Sequence, residues 1–119
     1  MKNNLNDMSS EDFRKNGYNL VDWIADYLSN IEKYPPLSQL NPGDILKRIP
    51  QTPPTNGEEI ENVLADIDKI LMDGITHWNH PGFMAYFNST SSGPGILAEL
   101  ITAALGANGM LWKTSPAFT

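Results

Sequence analysis

The sequence has no cysteine, which excludes a disulfide scaffold and any thiolate chemistry. It has no run of lysine or arginine, and 8 basic residues face 14 acidic ones for a net charge of −6. Nucleic acid and anionic membrane surfaces both require a positive patch, so neither is an expected partner. A long hydrophobic run is also missing. The most apolar stretch, residues 96–112, is broken by Glu99, Gly106, Asn108 and Gly109, and it does not read as a membrane span. The opening "MKNNLNDMSSEDFRKNG" is polar and carries acids, unlike a signal peptide. These absences lead to the expectation of a soluble, cytoplasmic protein. Its 119 residues, 40% of them hydrophobic, suit one domain rather than two.

What is present is mainly helical. Phe13, Leu20, Val21, Ile24, Tyr27, Leu28 and Ile31 recur at threes and fours, which predicts a first amphipathic helix. Ser9 followed by Asp12 reads as its N-cap with an acid in the first turn, and Pro35 and Pro36 stop it. Residues 37–55 carry Pro42, Pro50, Pro53 and Pro54 and read as an extended connector with one helical turn over residues 44–48. A connector of this length is unusual inside a compact domain and suggests a chain that travels over another surface. Ile60, Val63, Leu64, Ile67, Ile70 and Leu71 predict a second helix, capped by Asn56 and ended by Gly74 at its C′ position. A third is expected from Pro94 through Ile96, Leu97, Leu100, Ile101 and Ala104, stopping at residues 106–109. Three helices offer few walls for so much apolar surface, so part of the covering surface is expected outside the chain, in a second copy or in further sequence.

The chemistry concentrates in "THWNHPGFMAYFNSTSSGPG", residues 76–95. His77 and His80 have the HxxH spacing of a metal pair, but no third ligand is spaced nearby; the plainer reading has them hydrogen-bonding the loop, and no metal is expected. Trp78, Phe83, Tyr86 and Phe87 can be core, or they can wall an apolar pocket in which Tyr86 and Ser89 supply directional polar groups. The hydroxyl- and glycine-rich "NSTSSGPG" precedes a helix start. With no P-loop lysine and no GxGxxG after a strand, capping is a better reading than phosphate binding. No GxSxG elbow accompanies the serines, and Glu99 lies on an otherwise apolar helix face. Nothing here assembles a self-sufficient active site.

Three stretches together carry a resemblance: "EDFRKNGYNLVDWIADYLSNIEKYP", "ITHWNHPGFMAYFNSTSSGPGILAELI" and "GMLWKTSPA". They resemble the N-terminal portion of the pyridoxal-phosphate-dependent group II amino-acid decarboxylases, the aromatic-L-amino-acid decarboxylase family. The resemblance runs from about Met8 to Thr119, with "HW.HP.F.AYF" as its most specific signature. It implies a mainly α fragment of a fold-type I enzyme, three main helices with an extended proline-rich connector, lacking most of the pyridoxal-phosphate-binding α/β domain. Residues 1–92 would be a dimer-wrapping helical segment with a substrate-pocket loop at 76–92, and residues 93–119 the beginning of the large domain. The implied partners are a second copy, forming a homodimer, and a small amino-acid substrate.

By position, Trp78, Tyr86, Phe87, Asn88 and Ser89 match the family's contacts to the substrate side chain. Asn108 and Met110 match positions that reach the neighbouring subunit's site. Animal members have proline and threonine where Asn88 and Ser89 stand, and isoleucine and phenylalanine where Asn108 and Met110 stand. A serine hydroxyl still bonds a phenolic group. The family's cofactor lysine lies in a His-Lys pair, which this sequence does not contain; Lys113 follows Trp112 and does not take that role. The resemblance therefore implies no catalytic or cofactor-binding residue in this chain, and a piece that is inactive alone. Two alternatives stay open: a stand-alone helical interaction module, and a family member acting on a non-aromatic amino acid such as glutamate.

Overall fold

The computed structural model describes residues 4–5, 8–87, 89 and 91–118. The chain divides into two units, Met1–Ala85 and Tyr86–Thr119. In the first, strands β1 (Asn4–Leu5) and β2 (Met8–Ser9) pair antiparallel, with Asn4 opposite Ser9. They lead into α1 (Ser10–Ser29). A short α2 (Asp44–Arg48) and then α3 (Ile60–Asp66) follow. The second unit is built on α4 (Gly93–Leu105).

Ser9 starts α1 as expected: its backbone is extended, and its Oγ accepts the Asp12 N–H at 3.0 Å. One orphan amide of the first turn is thereby satisfied, with Glu11 and Asp12 placed where the helix dipole favours acids. Asn30 ends it. Its backbone N–H reaches the Asp26 and Tyr27 carbonyls, and its side chain adds a bond to Asp26 O. A 3-10 turn, Ile31–Lys33, leads to the two prolines.

Two bonds fix how α3 lies against α1. Lys15 pairs with Glu61 at 2.6 Å, and Trp23 Nε1 donates to the Asp68 carboxylate at 3.1 Å. The partners advance together along both segments, so they run parallel. Parallel neighbours need a return path, and this is what the connector supplies. Its α2 stays at the far end, where Ser38 Oγ donates to Asp73 O at 2.6 Å and Arg48 pairs with Asp73 at 2.9 Å. Residues 49–59 then travel back to the start of α3, roughly 20 Å at 1.5 Å per helical residue. An extended, proline-bearing strand covers that distance easily.

The second helix differs from expectation at both ends. It begins at Ile60 with Glu59 in the cap position and no side-chain cap bond, so Asn56 does not cap it. After Asp66 the path widens into a π turn, Ile67–Leu71, and tightens into a 3-10 turn, Met72–Gly74. The wider turn rotates the residues beyond it, and Asp68, the partner of Trp23, lies within it. Gly74 is not a left-handed C′ residue. A Cβ there would stand 2.8 Å from the Ile45 Cδ1 and Cγ1 atoms, so close approach of α2 is the reason for glycine.

In the second unit Ser92 Oγ accepts the Gly95 N–H at 3.2 Å, Pro94 sits in the first turn, and Gly106 closes the helix at φ 56°. The hydroxyl-rich stretch is thus a cap, as its plainer reading had it. Leu97, Leu100, Ile101 and Leu105 of α4 are all exposed.

Among the described residues no apolar side chain is fully buried; the two buried residues are polar, Asn16 and His77. Phe13, Tyr18, Val21, Val63 and Leu71 remain in contact with water. Apolar surface on this scale promotes association, so the isolated chain is expected to self-associate. A monodisperse monomer in sedimentation velocity would contradict this. A second expectation concerns Gly17 inside α1, where an added Cβ meets nothing within 4 Å. Gly17→Ala should stabilise the helical unit by roughly 0.5–1 kcal/mol through backbone entropy, read as a raised midpoint in urea followed by circular dichroism.

Candidate functional site

The aromatic stretch is anchored at His77, whose side chain is 1% exposed. Its backbone N–H donates to Pro36 O at 3.0 Å, tying the stretch to the proline exit from α1. Its ring shares a 2.8 Å hydrogen bond between Nδ1 and the Tyr27 hydroxyl. Tyr34 packs on the imidazole with centroids 4.8 Å apart, Tyr27 meets Tyr34 at 5.4 Å, and Trp23 stacks on Tyr27 at 5.6 Å and 4°. The result is a run of rings from the Asp68 carboxylate, through Trp23 and Tyr27, to His77.

Burial holds the His77 pKa below the usual histidine value, and the charge of neighbouring His80 adds to the shift. Burial raises the Tyr27 hydroxyl, with a smaller contribution from Tyr34. Both groups are therefore neutral at neutral pH, as a buried hydrogen-bonded pair should be.

His80 bonds the loop itself. Its Nδ1 accepts the Gly82 N–H at 2.8 Å, its carbonyl accepts the Phe83 N–H at 2.9 Å, and its own N–H donates to His77 O at 2.9 Å. A Cβ at Gly82 would lie 3.1 Å from His80 Nδ1 and 3.4 Å from Pro36 Cγ, so glycine lets the turn close on the imidazole. The HxxH pair is a loop-bonding device, with each Nδ1 engaged. Among the described residues no group of three or more metal-ligating side chains is assembled.

The aromatics expected at a pocket stand outward. Trp78 is 45% exposed and meets Phe83 at 4.9 Å and 35°. Tyr86, at φ 60°, holds a left-handed backbone that a bulky residue rarely adopts. Tyr86 and Phe87 are 84% and 108% exposed, and Ser89 is exposed too. Asn88 lies outside the described residues. Further on, Asn108 Oδ1 accepts the Met110 N–H at 2.9 Å, and Thr114 Oγ1 lies 2.9 Å from Asn108 O, closing a turn that presents the Met110 side chain to solvent. The structure thus brings Trp78 to Phe83 and Asn108 to Met110, and none of the described aromatics packs into a core. The ring run behind His77 was not anticipated. Trp23 and Tyr27 carry a helical spacing that makes their stacking readable, but no local pattern announces a partner fifty positions on.

Pyridoxal phosphate requires an amine to carry it and cationic or amide groups to cradle its phosphate. Neither of the two clefts found among the described residues offers that set. Lys15 and Lys47 are engaged with Glu61 and Asp44. The cleft of about 240 Å³ beside α1 and α3 is lined by Glu61 and Asp68 but by no lysine or arginine. The smaller one, about 170 Å³ beside Tyr34, includes Asp73 and again no basic group.

Residues 42–119 match the pyridoxal-dependent decarboxylase conserved domain. The chain belongs to this family. It is 45% identical to phenylacetaldehyde synthase of Petunia hybrida over 94% of its own length and 22% of that protein's. It is likewise 45% identical to aromatic-L-amino-acid decarboxylase of Mus musculus, over 94% of this chain and 23% of that one. Among solved structures it superposes on tryptophan decarboxylase of Catharanthus roseus in complex with L-tryptophan with a TM-score of 0.85 and 41% identity, covering 93% of this chain and 23% of that chain. The chain therefore spans about a fifth of the length of the curated relatives it matches, and corresponds to their N-terminal part. Among the described residues no helix is long and apolar enough to cross a membrane.

The His77 burial sets a pH dependence. Its folded pKa lies below the ordinary 6.5, so as pH falls through about 6.5 the unfolded chain takes up a proton that the folded one refuses. Stability contributed here should be full above that point and fall with pH until the folded pKa is passed. Urea midpoints at about pH 7.5 and about pH 5.5 should drop accordingly in the parent chain, and the drop should shrink in His77→Phe. Equal slopes in the two proteins would remove His77 as the cause.

Proposed function

We propose that this chain forms the dimerisation and substrate-recognition part of a pyridoxal-phosphate-dependent carboxy-lyase that releases CO2 from an L-amino acid, most readily an aromatic one. The single observation that carries this reading is the exposure of Trp78, Tyr86 and Phe87, large aromatics of one short segment, in a chain of this family. In the assembled homodimer, residues 1–92 wrap the partner and the loop at 76–92 lines the pocket; residues 93–119 begin the large domain. Trp78, Tyr86 and Phe87 wall the substrate side chain, Asn88 and Ser89 give it polar contacts, and Asn108 and Met110 reach the neighbouring subunit's pocket. The cofactor, bound by groups outside this chain, supplies the electron sink for loss of the carboxylate. A cytoplasmic location accompanies this reading. The exposed stripes of α1 and α4 support a second one, a helical interaction module without catalysis.

The test places this chain in the corresponding segment of the Catharanthus roseus tryptophan decarboxylase and follows CO2 release from tryptophan, tyrosine and glutamate. The chain alone should release none above a buffer blank. In the chimera, Phe87→Ala should lower kcat/KM for aromatic substrates by roughly 30-fold or more, the loss expected of a well-packed aromatic contact of about 2–4 kcal/mol. Tyr86→Phe should be milder. Ser89→Ala should separate hydroxylated from plain aromatic substrates, because a polar group loses its partner in one case only. Cofactor content should hardly change in any of the three. If Phe87→Ala empties the cofactor or unfolds the enzyme, the residue is core and not pocket wall. A chimera that handles glutamate as well as tryptophan would replace the aromatic assignment.

A further inference from the structure

Trp78 is nearly half exposed and meets Phe83 at 4.9 Å, so burial alone does not hold its indole in place. Its neighbour His77 is buried, its N–H is bonded to Pro36 O at 3.0 Å, and its carbonyl accepts the His80 N–H at 2.9 Å. The Trp78 N–H turns back to Thr76 O at 3.0 Å, so the backbone bearing the indole is bracketed on both sides of His77. Inside that bracket the imidazole is held by the 2.8 Å hydrogen bond to the Tyr27 hydroxyl and by the neighbouring Tyr34 ring. Tyr27 is fixed in turn, by its place on α1 and by the Trp23 stack.

We infer that Tyr27 and His77 are positioning residues: their mutual hydrogen bond sets where Trp78 stands and so which side chains the pocket admits. The inference rests on the pocket reading proposed above. Neither residue touches substrate in it. Small displacements of a contact group are costly in an active site, since binding and reaction both depend on sub-ångström placement. A hydroxyl on a rigid helix and a buried imidazole are suited to that duty, because both are locked by packing before a ligand arrives. The plainer alternative is that the pair serves only the stability of the first unit.

Two measurements separate these. The first uses the chimera, labelled with 5-fluorotryptophan, with the Trp78 indole resonance assigned by Trp78→Phe. Tyr27→Phe keeps the ring and its stacking on Trp23 and Tyr34, and removes only the hydroxyl. The Trp78 indole peak should shift or split in this variant. In His77→Asn, whose short amide can still meet the Tyr27 hydroxyl, it should return towards its original position relative to His77→Ala. An unmoved Trp78 peak in both Tyr27→Phe and His77→Ala would overturn the inference.

The second follows kinetics in the same chimera. Tyr27→Phe should raise KM for the aromatic substrate by roughly tenfold, the scale of one lost buried hydrogen bond, with kcat within about threefold and cofactor content unchanged. A purely structural role would lower the yield of active enzyme and leave KM alone, which also overturns it. Trp78→Ala distinguishes the two layers. If it raises KM while Tyr27→Phe does not, positioning fails and the pocket reading stands. If Trp78→Ala leaves KM unchanged, the pocket reading fails, and with it the claim that this hydrogen bond governs selection.

Discussion

The hydrogen bond between Tyr27 and His77 joins the last turns of α1 to the start of the aromatic stretch, and the His77 N–H ties that same start to the proline exit after α1. A buried imidazole is tolerable only when neutral and partnered, because an unpaired polar group in such a place costs on the order of 1–3 kcal/mol. Its satisfaction by Tyr27 therefore couples the geometry of α1 to that of the loop. With no apolar side chain buried among the described residues, this polar joint and the rings around it take the place that buried aliphatic side chains usually fill. The Trp23 indole N–H, ending the ring run on Asp68, extends the joint to the π turn.

The parallel course of α1 and the α3 path imposes a second constraint. Antiparallel neighbours can be joined by a short turn, whereas parallel ones need a return as long as the helices themselves. Proline suits such a return. It favours an extended backbone and sacrifices no helical hydrogen bond where no helix is wanted. The contacts of the connector are few and placed at its near end, where Ser38 and Arg48 meet Asp73 and Ile45 presses on Gly74. Beyond Arg48 every residue as far as Glu59 is exposed. The connector therefore closes the topology without adding much burial, and both helices keep apolar side chains such as Val21 and Val63 in contact with water.

The sequence was most legible where local chemistry decides. Ser9 before Asp12 starts α1, Pro94 opens α4 and Gly106 closes it, because caps and left-handed stops depend on one or two side chains. The short α2 was readable for the same reason. The start of α3 was not: Asn56 has the right chemistry for a cap, but the helix begins at Ile60. The π turn was equally hidden, since a smooth run from Ile60 to Leu71 satisfies the same apolar pattern; the pairing of Asp68 with Trp23 comes from a residue 45 positions away. Gly74 stands where a C′ glycine is expected, yet its reason is a neighbouring side chain. The histidine pair reads as loop-bonding for want of a third spaced ligand, but the groups it bonds, Tyr27, Pro36 and Gly82, become visible only in three dimensions.

Along the motif from His77 to Phe87 the usual rule of burial is inverted. The imidazole is inside and Trp78, Tyr86 and Phe87 are outside. In an isolated domain this inversion is unfavourable, since burying one large aromatic is worth roughly 1.5–3 kcal/mol and several remain in water. The same inversion appears on α4, where a helix apolar on nearly all sides has no described leucine or isoleucine buried. Helices of that composition normally lie within a larger body. Polar groups placed where they can be satisfied within the chain, and apolar groups placed where they cannot be, divide the chain's interactions into two sets. The internal set fixes geometry: caps, the parallel helix pair and the histidine joint. The outward set, on α1, in the aromatic stretch and on α4, stays in contact with water, and on the reading proposed above it is what an assembled enzyme would cover.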